Sequence, residues 1–135
     1  MISNHISLEE AIESPTALRL GIKNMPNEEE LEAMLHVAKE LFEPIREWYG
    51  KPIKVNSFYR CKELNKAVKG SLTSGHVLGN SIDITGGNKA ENKKIFSFIK
   101  ESGLDYDQVI NEYDFTWVHI SLKKSGNRKQ ILIVK

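Results

Sequence analysis

Cysteine is nearly absent from this chain. Cys61 stands alone among 135 residues, so no intramolecular disulfide can hold the fold and no oxidising compartment is required. It sits in "RCKELNK" with no base beside it, which favours an incidental thiol over a nucleophile. A strong charge bias is missing too: 19 Lys and Arg against 18 Asp and Glu leave a formal net charge of +1. That balance gives no global footprint for nucleic acid or an anionic membrane. A local basic cluster of Lys123, Lys124, Arg128 and Lys129 reads as a solvated face, so no nucleic-acid partner is expected. No segment approaches the ~18 apolar residues of a membrane span. The start, "MISNHISLEE", has neither the basic beginning nor the apolar stretch of a signal peptide. The expectation is a soluble product made in the cytoplasm, with no membrane partner, that meets any target outside the membrane only when other factors release it.

What is present suits one domain over residues 1–135, long enough to bury a core. Residues 7–14 read as a short helix with Ser7 and Glu10 as a capping box, broken by Pro15. In "NMPNEEELEAMLHVAKELFEPIREWYG", Asn27 is a plausible N-cap with Glu30 three positions on. Leu31, Met34, Leu35, Ala38, Leu41, Phe42, Ile45 and Trp48 then form a continuous apolar stripe. Pro44 should kink or split that helix and Gly50 should end it. "PIKVNS" reads as a strand, "CKELNKAV" as a short helix, "GSLTSGH" as a loop and "NSIDIT" as a strand; a helix follows from Asn88. "DQVINEY" and "WVHISL" suggest a hairpin, and "QILIVK" a last strand. Helices first, then a small mostly antiparallel sheet with a crossing helix, is an α+β order.

Chemistry concentrates in three residues. His76 and Asp83 stand seven positions apart in "SGHVLGNSID", with Gly79 between them to let the chain turn back. His119 lies in "TWVHISL", where Trp117, His119 and Ser121 alternate with Val118, Ile120 and Leu122. Two imidazoles and one carboxylate suit a zinc ion whose fourth position stays open, the catalytic rather than the structural pattern. No Cys takes part, which excludes a zinc finger. His36 falls off the apolar stripe and His5 lies near the terminus, so both are read as solvent-facing.

The stretches "SFYR", "SGHVLGNSID" and "WVH", in that order, resemble the M15 zinc peptidases, whose motifs run S-x-x-R, S-x-H-x-x-G-x-x-x-D and W-x-H. These are the relatives of the D-Ala-D-Ala carboxypeptidases and L-Ala-D-Glu endopeptidases, and the likeness is greatest to short phage and bacterial members. "SPTALRLGIKNMPNEEE" looks like their lead-in, so the resemblance spans most of the chain. It implies a Hedgehog/D-Ala-D-Ala peptidase-like fold: N-terminal helices packed on a sheet that carries the zinc site. It further implies that His76, Asp83 and His119 bind Zn²⁺ and that Arg60 lines the site. A guanidinium there suits a substrate carboxylate or a developing oxyanion. Ser74 would hydrogen-bond the loop or a ligand, and Trp117 and Tyr59 would wall the substrate groove.

The general base departs from the family pattern. Many relatives carry E-x-x-H, and here the Glu position is Thr116, which takes no proton at neutral pH. A hairpin pairing about Phe115–Thr116 would set Glu112 opposite His119 and Asp114 opposite Trp117, within reach of one another on one face. Glu112 is the preferred base over Asp114. The implied function is zinc-dependent hydrolysis of the stem peptides of bacterial peptidoglycan by a monomeric, endolysin-like endopeptidase acting at the cell wall. The alternatives are a D-Ala-D-Ala carboxypeptidase and, because of Thr116, an inactive zinc-binding module like the Hedgehog-type domains.

Overall fold

Side-chain caps set where the helices begin. In the computed structural model, which describes residues 1–135, Ser7 accepts from the Glu10 amide at 3.0 Å and opens α1, Leu8–Ile12. Pro15 does more than end a helix: Ser14 caps a second one, α2 (Pro15–Leu20), with Pro15 in its first turn, where a missing N–H is harmless. Asn27 and Glu30 form the reciprocal capping box of α3, Glu28–Val37, at 2.8 and 2.9 Å.

Pro44 leaves the long helix unbroken. Its effect appears one turn earlier, where Ala38–Phe42 widen into a π-helical stretch before α4, Glu43–Tyr49. Pro44 lacks an N–H and its ring crowds the carbonyl four residues back, and a wider turn relieves both problems. Gly50 ends α4 at φ +71°.

β1 (Lys54–Ser57), α5 (Lys62–Ala67), β2 (Ser81–Thr85) and α7 (Lys89–Glu101) follow the sequence reading closely. The stretch read as loop before β2 contains a four-residue helical turn, α6, Gly75–Leu78. With β3 (Gln108–Glu112), β4 (Trp117–Ser121) and β5 (Gln130–Val134), the strands form one sheet in the order β1-β2-β4-β3-β5. All neighbours are antiparallel except β3 and β5. The fold is α+β, as expected.

Strand alternation divides the sheet into two faces. Ile82, Ile84, Val109, Val118 and Ile120 are buried and join Met34, Val37, Leu41, Phe42, Ile45, Ile95 and Ile99 in one core. The helices therefore cover this face, and Asp83 and His119, the intervening residues, project from the other. Buried Asn92 ties α7 to the sheet. It accepts from Thr85 Oγ1 and the Gly86 amide and donates to the Phe115 and Thr116 carbonyls. No helix is long and apolar enough to cross a membrane. The basic C-terminal cluster is partly tied down: Arg128 and Lys123 pair with Asp107, and Lys124 with Glu32.

Candidate metal centre

Backbone register brings the first two residues together. Asp83 of β2 is the direct partner of His119 of β4, and Asp83 Oδ1 lies 2.8 Å from His119 Nδ1. A register shift in β1 between Val55 and Ser57 places Ser57 opposite Asp83 from the other side.

His76 arrives on α6. Ser74 caps this turn and accepts from the His76 amide at 3.2 Å. Gly79 closes it at φ +81°, and a Cβ there would stand 2.6 Å from the Glu30 carbonyl oxygen. Only glycine meets both the left-handed turn and the close approach to α3. The Arg60 amide donates to the His76 carbonyl at 3.2 Å, so the strand-exit segment and α6 lie side by side.

One atom from each of His76, Asp83 and His119 lies within 4.8 Å of the others. His76 Nδ1 is 2.7 Å from the Phe58 carbonyl, which can only accept, so Nδ1 carries the proton. That leaves His76 Nε2 facing Asp83 Oδ2 at 3.1 Å. When Nε2 is unprotonated, its lone pair points at a carboxylate oxygen, an arrangement that a cation between them resolves. A histidine whose other nitrogen is held by a backbone carbonyl is also how metal-binding imidazoles are oriented. The donor set and its support fit a divalent ion. Burial acts to raise the Asp83 carboxyl, but hydrogen bonds and charge from His119 and His76 overcome it and hold the group well below the usual carboxylate range.

Glu112 stands on the same face, opposite Trp117, and Ile110 rather than Glu112 is opposite His119. The expected register is thus off by two residues. An even shift keeps each side chain on its face, so Glu112 still faces the His119 side of the sheet. The cause is a four-residue turn in which Tyr113, Asp114 and Phe115 all have positive φ, 49°, 54° and 60°. Buried Asn111 accepts from the Phe115 amide at 2.6 Å, and Thr116 closes the loop through its own amide and hydroxyl. Thr116 is an exposed turn residue whose hydroxyl donates to the Tyr113 carbonyl. Asp114 is out at the tip, pairing with Lys89 at 3.2 Å.

The half-buried Glu112 carboxylate makes no hydrogen bond within the chain. Burial pushes its carboxyl up and the Asp83 charge adds to that, while His119 and His76 pull it down. It therefore shares its electrostatic surroundings with all three members of the cluster.

Arg60 reaches Ser74 through Nη2 at 3.3 Å, and its Nε is buried without a partner. Burial lowers the guanidinium and the Asp83 charge raises it, which puts it within electrostatic reach of the cluster. Trp117 packs on Tyr113 at 5.2 Å between ring centroids, and its Nε1 is likewise buried and unpartnered. Tyr59 does not wall the groove. It is buried at 4% exposure, its hydroxyl donates to Glu30 at 2.9 Å, and its ring belongs to the core. The Ala11 and Asn24 contacts to its backbone turn the ring inward. His36 is half-buried beside α6, and His5 is exposed and pairs with Glu43; neither joins the cluster.

Sequence reasoning missed the Phe58 carbonyl, since a backbone acceptor leaves no mark in a side-chain pattern. Asn111, which fixes the turn that aims Glu112, reads as an ordinary strand residue.

A sequence profile of the family described as Peptidase M15 matches residues 4–121. Comparison with curated proteins gives no match.

Proposed function

The chain belongs to the M15 peptidase family, and on that premise we propose that it is a zinc-dependent hydrolase of the stem peptides of bacterial peptidoglycan. The observation that carries this reading is the convergence of His76, Asp83 and His119 on one point, with the free carboxylate of Glu112 on the same face. A zinc ion held by those three side chains would supply Lewis acidity, acidifying a water towards a pKa of about 7 and polarising a carbonyl.

The chain's own residues do the rest. Glu112 accepts a proton from the attacking water as its oxygen bonds to the amide carbon. It then returns a proton to the leaving amine as the C–N bond breaks. Its raised carboxyl suits a group that must both take and give a proton. Arg60, with Nε unpartnered, offers donors to a substrate carboxylate or to the developing oxyanion. Trp117, on the His119 face of β4, carries an indole N–H with no partner within the chain. Ser74 holds Arg60 and the start of α6, a positioning role.

The inactive-module alternative rested on Thr116. Glu112 lies in the neighbouring strand and weakens that argument, because a carboxylate is present on the catalytic face by another route. The finer reading is endopeptidase action at the wall by a monomer. A D-Ala-D-Ala carboxypeptidase is the second reading, supported by the same arginine.

Mass spectrometry of purified peptidoglycan, incubated with zinc-loaded protein and with a chelated control, tests the proposal. New peptide termini that vanish with chelator are expected, and their sequence names the bond. Free D-alanine would identify the carboxypeptidase. No product from several wall types, with metal bound, would overturn the enzyme reading.

A further inference from the structure

A second feature lies on the other side of the sheet. α7 buries Ile95, Phe96 and Ile99 in the core with Ile84 and Val118, so its outer surface faces away from Asp83 and His119. There, Trp48 of α4 lies flat on Phe98 of α7, with ring centroids 4.0 Å apart and planes 10° off parallel. One indole face is covered by Phe98, yet Trp48 is 48% exposed, so the other face meets solvent. The pair floors a groove of about 790 Å³ edged by Lys93, Ser97, Glu101 and Ser102.

The lining chemistry selects a ligand class. None of the side chains is Leu, Ile, Val or Met, so the groove lacks the aliphatic row that an amphipathic helix or a protein interface core needs. An exposed aromatic face with hydroxyls, a carboxylate and an ammonium around it matches a sugar ring. The C–H face of a pyranose is apolar and weakly positive, and it stacks on the negative face of an indole. The ring hydroxyls need donors and acceptors at the rim.

Charge adds to the match. Lys51 and Lys94 are occupied by Glu91, and Lys89 by Asp114. Lys93 and Glu101 are both exposed and without ion pairs, so the rim offers one free ammonium and one free carboxylate to the hydroxyls and amides of a sugar chain.

We propose that the Trp48–Phe98 groove is a saccharide-binding platform for the glycan strand of the wall. The inference rests on the proposed substrate above and extends it. Holding the glycan on the back of the domain leaves the metal centre free to meet stem peptides, at an effective concentration set by the polymer.

The test uses soluble wall glycan strands stripped of their stem peptides, titrated into the full chain. Binding is read from the heat of titration in every variant, with the Trp48 indole N–H signal locating it in the wild type. Saturable binding is expected, weakened at least tenfold in Trp48→Ala, with Lys93→Glu also weakened. Trp48→Ala should cut free stem peptide at the wild-type rate but intact walls more slowly. The probe contains no bond for a peptidase to cut, so the two readings fail separately: loss of stem-peptide cleavage in the wild type sinks the peptidase, not the platform. A wild type that ignores the glycan, or a Trp48→Ala that binds as tightly, overturns the platform. A dimer dissolved by Trp48→Ala without glycan binding would assign the face to a second copy and overturn it as well. Should Trp48→Ala not fold, Lys93→Glu decides by the same criterion.

Discussion

Asp83 and His119 face each other across β2 and β4 with 2.8 Å between Oδ1 and Nδ1. Two members of the candidate metal centre are therefore placed by backbone pairing, the most rigid means the fold has. His76 is placed differently, on a four-residue turn capped by Ser74 and closed by Gly79. The centre joins a rigid half to one that depends on a turn.

Asp83→Asn tests the rigid half. The amide keeps the shape and one oxygen but loses the charge between two imidazoles. Changing a residue that merely supports a ligand costs about 10–100-fold in metal affinity, and loss of a ligand's charge should do at least as much. Metal analysis after gel filtration should fall from one ion per chain towards zero. Undiminished metal would remove Asp83 from the ligand set.

Glu112→Gln separates binding from chemistry. The side chain makes no internal hydrogen bond, so folding and metal content should stay as in the wild type. Turnover on stem peptide should drop about 10²–10⁴-fold, the range for a lost general acid–base group. Asp114→Asn, at the exposed turn tip, should change little. Equal losses in both variants would argue against Glu112 as the proton carrier.

Much of this arrangement was legible in the chain. The alternation in "TWVHISL" placed His119 away from the core, and the glycine between His76 and Asp83 marked the turn. The α+β order followed from periodicity alone. The hairpin register was not legible, because three successive left-handed residues without a glycine carry no turn signal, and Asn111 supports them from within the strand. Tyr59 misled for a related reason. It adjoins Arg60, yet its ring is drawn inward by the core and its hydroxyl by Glu30, a residue 29 positions away. Tertiary contacts of that kind leave no local pattern.

Asp107 predicts an acid-sensitive fold. Arg128 holds both of its carboxylate oxygens, at 3.0 and 2.8 Å, and this contact keeps the buried carboxyl below the ordinary value of 3.8. A depressed folded value means the stabilisation is fully present above the unfolded value and is lost as pH falls through the folded one. Asp107→Asn should therefore melt below the wild type at pH 7, with the gap closing as the pH drops below about 4. Thermal melts across that range measure it. A gap that stays constant would show that the ion pair contributes nothing through protonation.

Gly79→Ala tests the turn-dependent half. The left-handed conformation alone costs a side chain about 1–2 kcal/mol, and the new Cβ would also stand 2.6 Å from the Glu30 carbonyl oxygen. The backbone of α3 cannot yield as a flexible side chain would, so α6 must move, and His76 lies only three residues away on it. Two effects should appear together: a melting temperature lower by roughly 5 °C or more, and weaker metal binding. The two are separable by titrating metal at a temperature where the variant is fully folded. If affinity there equals that of the wild type while the melt is lowered, Gly79 serves the fold alone and His76 does not depend on the turn. If affinity falls as well, the packing of α6 against α3 is what sets the third ligand.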